Sequence, residues 1–183
     1  MQSLLLSGQK FELTLDRLAY QLIEEHRDFD SSALMGLQPR GIFLANALQE
    51  RLQIILDKKT ILCGFLDITF HRDDIRLQTR PMVPSAMNIN FSVESKKVIM
   101  IDDVLFTGRT IRAGLDAMLT FGRPENVELL VLVDRRYSRE LPIEPKYTGI
   151  EVDTIASQKV KVEWGQGGSE KGVWLISNEE EKH

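Results

Sequence analysis

Apolar positions along the first half of the chain recur with a helical period, interrupted by short continuous runs. Leu15, Leu18, Ala19, Leu22 and Ile23 fall three and four residues apart, which predicts a helix over 14–25 with Thr14 placed to cap it. The short run Ala33-Leu34-Met35 meets Gly36 and passes through Pro39-Arg40-Gly41 into a second helical segment. There Leu44, Leu48, Leu52 and Ile55 share one face. The order strand, loop, helix then repeats. Residues 61–70 read as a strand, and Val98-Ile99-Met100-Ile101 is a continuous apolar run, as expected of a strand buried on both faces of a parallel sheet. Ile111, Leu115, Met118 and Leu119 mark the face of a further helix, closed by Gly122 and Pro124. Residues 129–133 give another buried strand. Strands alternating with helices predict an α/β fold with a mostly parallel sheet. Towards the C-terminus Val160, Val162 and Trp164 alternate, Gly165-Gln166-Gly167-Gly168 makes a turn, and an apolar strand resumes at 173–176. This is the pattern of a β-hairpin, read as part of a small cap on the core.

Composition narrows the class. The 183 residues, 43% of them hydrophobic, suit one domain over 1–183 that buries roughly 70% of its unfolded surface without covalent staples. The single cysteine, Cys63, leaves no disulfide framework within the chain and no zinc-ligand spacing; in its apolar run it reads as a small core residue. The formal charge of −4 argues against a globally basic nucleic-acid binder. The first residues lack a basic, then apolar, export pattern, and no apolar run approaches the roughly 20 residues needed to span a bilayer. The expectation is a cytoplasmic protein with no membrane partner. Polar residues fill 71–90, broken by Pro81 and Pro84. A connection that long in one domain is expected to be functional. His26, near the end of the first helix, reads as solvated or as meeting the helix C-terminus.

The chemistry concentrates in Val98-Ile99-Met100-Ile101-Asp102-Asp103-Val104-Leu105-Phe106-Thr107-Gly108-Arg109-Thr110. Ligands of open α/β sheets bind beyond the carboxyl ends of strands, where Asp102 and Asp103 fall. Paired carboxylates there accept hydrogen bonds from vicinal hydroxyls or hold Mg²⁺ through water. Thr107-Gly108-Arg109-Thr110 opens the next helix. Its backbone N–H groups, two hydroxyls and the positive helix end suit a phosphate, and Gly108 lets the backbone approach it. Either half alone would be ordinary: an acidic pair is usually solvated turn, and Thr-Gly-Arg-Thr is a common helix start. Joined to a buried strand, they form a hydroxyl or metal clamp and a phosphate cradle about one ribose apart. The other familiar phosphate loops, G-x-x-x-x-G-K-[ST] and G-x-G-x-x-G, are absent.

That segment resembles the phosphoribosyl-diphosphate (PRPP) signature of type I phosphoribosyltransferases. More narrowly, the chain resembles the PyrR family, attenuators of the pyrimidine operon that are also uracil phosphoribosyltransferases. The supporting stretches are Gly36-Leu37-Gln38-Pro39-Arg40-Gly41-Ile42, Leu66-Asp67-Ile68-Thr69-Phe70-His71-Arg72-Asp73-Asp74, Gly122-Arg123-Pro124, Leu132-Val133-Asp134-Arg135 and Arg139-Glu140-Leu141-Pro142-Ile143, in the family's order over about 12–176. The resemblance implies a type I phosphoribosyltransferase fold: a mostly parallel twisted sheet with helices on both faces and a small β hood. The core would span about 30–140 and the hood about 141–178, with an N-terminal contribution. It also implies that uracil and PRPP give UMP and pyrophosphate with Mg²⁺, in a homodimer or higher homo-oligomer.

By the same resemblance, Asp102 and Asp103 would bind the ribose hydroxyls and Mg²⁺. Val104, Leu105, Thr107, Gly108, Arg109 and Thr110 would hold the 5′-phosphate, and the loop 36–41, with Arg40 and Gly41, the pyrophosphate. Arg72 would close over the pyrophosphate, with Asp73 and Asp74 helping to place Mg²⁺. Val104, Leu105 and Val160, within a hood segment 157–162, would contact uracil. The family's other partner is the leader mRNA of the pyrimidine operon. Affinity for RNA rests on Lys and Arg contacts to phosphate. Here Asp16, Glu24 and Glu25 share the first helix with Arg17, and Glu144 and Glu151 follow the Arg139 block. Arg123, Arg135, Arg136 and Arg139 offer a small basic patch. The expectation is catalysis with weakened or absent RNA attenuation. The alternatives are transfer to another base (an orotate carboxylate facing Lys159 or Lys161) and a non-catalytic UMP sensor that binds RNA.

Overall fold

The continuous apolar runs become the interior strands of a parallel sheet. The computed structural model describes residues 2–68, 89–155 and 157–177. In chain order the elements are β1 (Gln2–Leu6), α1 (Gly8–His26), β2 (Ser32–Leu37), α2 (Gly41–Ile55), β3 (Cys63–Leu66), β4 (Lys97–Leu105), α3 (Arg109–Met118), β5 (Asn126–Arg136), β6 (Tyr147–Asp153), β7 (Gln158–Glu163) and β8 (Gly172–Ser177). Five strands pair in the order β3-β2-β4-β5-β6, every pair parallel. A second, antiparallel sheet has the order β1-β8-β7.

Side chains alternate along each strand, so a strand covered on both sides must be apolar throughout. On β4, Ile99 and Ile101 join the cluster formed with Leu15, Leu18, Leu44 and Leu48 of α1 and α2. Val98 and Met100 join the opposite cluster, with Ile111 and Met118 of α3. Helices thus cover both faces. The small sheet joins the α1/α2 side through Leu6, Val162 and Val173, and Trp164 meets Phe11 edge-on at 5.1 Å and Phe43 at 6.1 Å.

Several boundaries differ from the sequence expectation. Helix α1 begins a turn and a half early, because Phe11 extends its buried face upstream; Thr14 lies inside it, its hydroxyl donating to the Lys10 carbonyl at 2.9 Å. Ile55 and Leu119 leave their helix faces, at 37% and 60% exposed. Ile55 is the last residue of α2, and Leu119 enters a 3₁₀ turn that rotates it away from the α3 stripe. The strand expected over 61–70 is confined to Cys63–Leu66, and residues 69–70 lie outside the described residues. Strands β1 and β6 carried no clear signal, being short or half polar. Strand β6 is an edge strand with alternating burial, and it belongs to the parallel sheet. The second sheet therefore resumes only at Gln158, later than a hood starting near 141, and it takes β1 from the N-terminus. His26 is buried rather than solvated: its Nδ1 meets the Ser32 hydroxyl at 2.9 Å and its Nε2 the Glu128 carboxylate at 3.0 Å.

Candidate functional site

The carboxyl ends of β2 and β4 bring three stretches of sequence together. Beyond β2, residues 38–40 turn into α2, whose first residue packs directly on β4. A Cβ on Gly41 would stand 2.3 Å from the Ile101 carbonyl oxygen and 3.2 Å from the Asp102 Cα, so only glycine fits there. This approach sets the loop beside the acidic pair.

Asp102 and Asp103 lie in the second half of β4, both buried, and the Asp103 N–H donates to Asp102 Oδ1 at 2.9 Å. Arg40 faces them: its Nε donates to Asp103 Oδ2 at 2.7 Å, and its Nη2 to the Val162 carbonyl of β7 at 2.6 Å. One half-exposed guanidinium thus ties the loop after β2 to the acidic pair and to the second sheet.

Beyond Leu105 the chain bends through Phe106 and Thr107 into α3. Gly108, at φ 92°, supplies the left-handed conformation that the bend needs. The Thr107 side-chain oxygen accepts from the Arg109 N–H at 3.4 Å. The Thr107 carbonyl is held from behind by the N–H groups of Glu140 and Leu141, at 3.0 and 3.2 Å. Glu140 also accepts from Arg109 Nε at 2.6 Å. The bend is therefore braced, and Thr107 and Thr110 beside it are half-buried at the N-terminus of α3, where backbone N–H groups have no partner one turn back in the helix.

The structure separates two residues that the sequence grouped. Val104 and Val160 both border the apolar cluster on the α1/α2 side, and β7 lies against β4. Leu105, one residue on, points to the other face and is buried in the α3 cluster. Its side chain is therefore core. Arg72, Asp73 and Asp74 lie outside the described residues.

Three of the four arginines that could have formed a basic patch are already engaged. Arg135 is buried; Arg136 pairs with Asp153 at 2.7 Å and Glu151 at 3.2 Å; Arg139 pairs with Asp134 and donates to the Phe106 carbonyl. Alternation along β5 turns 135 inward and 136 outward, where the acidic residues of β6 meet it. Glu140, Arg139 and Arg135 support the bend, a role that sequence reasoning missed. Their motif was visible; their partners, about 30 residues upstream for Glu140 and Arg139, were not.

Among the described residues no three His, Cys, Asp or Glu side chains form a metal-holding group. Two adjacent carboxylates are nevertheless a suitable donor set for Mg²⁺, which commonly takes one or two carboxylates and completes its shell from phosphates and water. Among the described residues no helix is long and apolar enough to cross a membrane.

The comparisons agree with this geometry. The phosphoribosyl transferase domain family matches residues 1–165. Bifunctional protein PyrR of Haemophilus ducreyi is 42% identical over 162 residues, covering 88% of this chain and 89% of that one. Bifunctional protein PyrR of Elusimicrobium minutum is 40% identical over 176 residues, covering 96% and 97%. A hypoxanthine phosphoribosyltransferase of Staphylococcus aureus superimposes with a TM-score of 0.70 over 96% of this chain and 92% of that one, at 18% identity, which shows a common fold. With a parallel sheet ending in an acidic pair and a glycine bend, and with relatives this similar over nearly its whole length, the chain belongs to the PyrR family of phosphoribosyl transferase domain proteins.

Proposed function

We propose that the protein transfers the phosphoribosyl group of PRPP to uracil, giving UMP and pyrophosphate, in the cytoplasm and as a homodimer or larger homo-oligomer. The observation that carries this reading is the junction at the end of β4. Asp102 and Asp103 stand on β4, Arg40 donates to Asp103, and the bend 107–110 follows directly from the end of the same strand. The carboxylates accept hydrogen bonds from the ribose 2′- and 3′-hydroxyls, and the bend holds the 5′-phosphate. Arg40 leaves Asp103 for the pyrophosphate, and the apolar wall of Val104 and Val160 flanks the base. Asp102 and Asp103 would also hold Mg²⁺, which when bound spreads the charge of the departing pyrophosphate. Uracil presents two carbonyl acceptors and ring N–H donors, so backbone groups of β7 can read it without a charged side chain.

At the ribose C1′ the bond to pyrophosphate breaks as the bond to uracil N1 forms on the opposite face, and the N1 proton is released to solvent or to the departing pyrophosphate. Most of the acceleration then comes from positioning and from neutralising the leaving group. Closure of Arg72 over the pyrophosphate belongs to this proposal. Incubation with labelled PRPP, Mg²⁺ and a panel of bases tests it: uracil-dependent UMP formation is expected. Formation of a different nucleotide, or no turnover with UMP and RNA binding retained, overturns it.

The pairing of Arg136 and Arg139 with carboxylates supports weak or absent binding of pyrimidine-operon leader RNA, since each must give up its carboxylate before it can meet a phosphate. A gel shift at low and physiological salt with UMP is expected to show no tight complex. Sequence-selective, UMP-enhanced binding would contradict this part.

A further inference from the structure

Two guanidinium groups from the parallel-sheet core hold β7 near its two ends. Arg40 donates to the Val162 carbonyl at 2.6 Å while it pairs with Asp103 at 2.7 Å. Arg135 donates to the Gln158 carbonyl and to the Thr154 hydroxyl, each at 3.0 Å, and its guanidinium carbon lies 3.9 Å from the centroid of the Phe106 ring. Val160 stands midway between the two anchors.

The anchors are not equivalent. Arg40 is half-exposed and shares its charge with the acidic pair, so an anion entering the site competes for it. Arg135 is 6% exposed, and it meets a carbonyl, a hydroxyl and an aromatic face. Burying a guanidinium is costly, and mere filling would be served better by a hydrocarbon side chain. What the guanidinium adds is direction: it joins the head of the phosphate bend (Phe106), the β6–β7 connection (Thr154) and the start of β7 (Gln158) at one point. Gln158 passes the restraint on, donating from Nε2 to the Ser177 hydroxyl of β8 at 3.3 Å.

We propose that Arg135 is a positioning residue for the acceptor base: it keeps β7, and Val160 with it, against the end of β4 when Arg40 turns to the pyrophosphate. This rests on the reading of uracil transfer given above.

Steady-state kinetics of Arg135→Met and Arg135→Lys, combined with amide hydrogen exchange, test it. For Arg135→Met the KM for uracil should rise about tenfold while the KM for PRPP stays within about twofold, as expected for loss of a charged hydrogen bond that serves one substrate only. The amides of β7 should exchange faster than in the parent, with those of α1 and β5 unchanged. Lysine, able to donate to one acceptor but not to both, should restore part of each effect. Equal rises in both KM values, or unaltered β7 exchange, overturn the proposal. If Arg135→Met does not fold, Thr154→Val removes one acceptor and should raise the uracil KM selectively by about two- to threefold; no selective rise overturns the proposal. If the parent protein forms no UMP, it is the uracil reading that fails. The exchange comparison then decides on Arg135: faster exchange confined to β7 supports the anchor, and unchanged exchange overturns it.

Discussion

Asp103 is buried, receives Arg40 at 2.7 Å and stands at the end of an interior strand. Replacing one carboxylate oxygen by an amide keeps the shape but removes the charge that a ribose hydroxyl or Mg²⁺ would meet. Asp103→Asn is therefore expected to lower kcat/KM for PRPP by about tenfold or more, with a thermal midpoint close to the parent's. Turnover at the parental rate would remove Asp103 from the ribose clamp. At this scale the sequence was readable where the chemistry is contiguous: residues 102–110 carry their pattern in one run. It was silent where partners are remote. Arg40 meets Asp103 across 63 positions and Val162 across 122, and no local pattern encodes such meetings. Leu105 and Val104 were grouped by sequence, but neighbours on a strand necessarily point to opposite faces, and the Leu105 side chain packs on the α3 side.

At the scale of elements, the helical stripes were read correctly through their middles and poorly at their ends. Leu44, Leu48 and Leu52 are fully buried on α2, whereas Ile55, in the same register, is 37% exposed. Tertiary cover, not periodicity, decides where a stripe stops mattering. Leu48→Ala should accordingly cost about 2–5 kcal/mol, through lost transfer energy and the cavity left behind, whereas Ile55→Ala should cost less than about 1 kcal/mol. Chemical denaturation of both variants measures the contrast, and equal losses would contradict the burial pattern. The strands follow the same logic. Those covered on both faces announced themselves as apolar runs. Strand β6, covered on one face, carries Glu151 and Asp153 outward and was invisible, although those carboxylates pair with Arg136.

At the scale of the whole molecule, the proposed site at the carboxyl ends of the strands is balanced by a polar knot at their amino ends. His26, Ser32, Glu128 and Tyr147 are buried there together, and Lys146 reaches Glu128 at 2.7 Å. The contacts fit neutral histidine: Nε2–H donates to Glu128, which also accepts from Tyr147 at 2.7 Å, and Nδ1 accepts from the Ser32 hydroxyl. Burial lowers the His26 pKa below its usual 6.5, outweighing the pull of Glu128 in the other direction. For Glu128, burial alone would raise the pKa, but hydrogen bonds from Lys146 and Tyr147 hold it below 4.5. The signs agree. Below 6.5 the unfolded chain takes up a proton at His26 that the folded state resists, so stability present above that pH is lost on acidification, and Glu128 adds a further loss below 4.5. The thermal midpoint should fall between about pH 7 and about pH 5, and His26→Gln, which cannot titrate, should flatten that slope. A slope unchanged by the substitution would show that the knot does not govern acid stability. Nothing in the local sequence revealed it, because Glu128 is 102 positions from His26.

The central claim is that the bend after β4 and the acidic pair before it hold the two ends of one ribose phosphate. A crystal structure of the protein with UMP tests this most directly. The account predicts the 5′-phosphate among the N–H groups and hydroxyls of 107–110, with the ribose hydroxyls on Asp102 and Asp103. A phosphate bound away from that bend, or a ribose facing away from the two carboxylates, would contradict it.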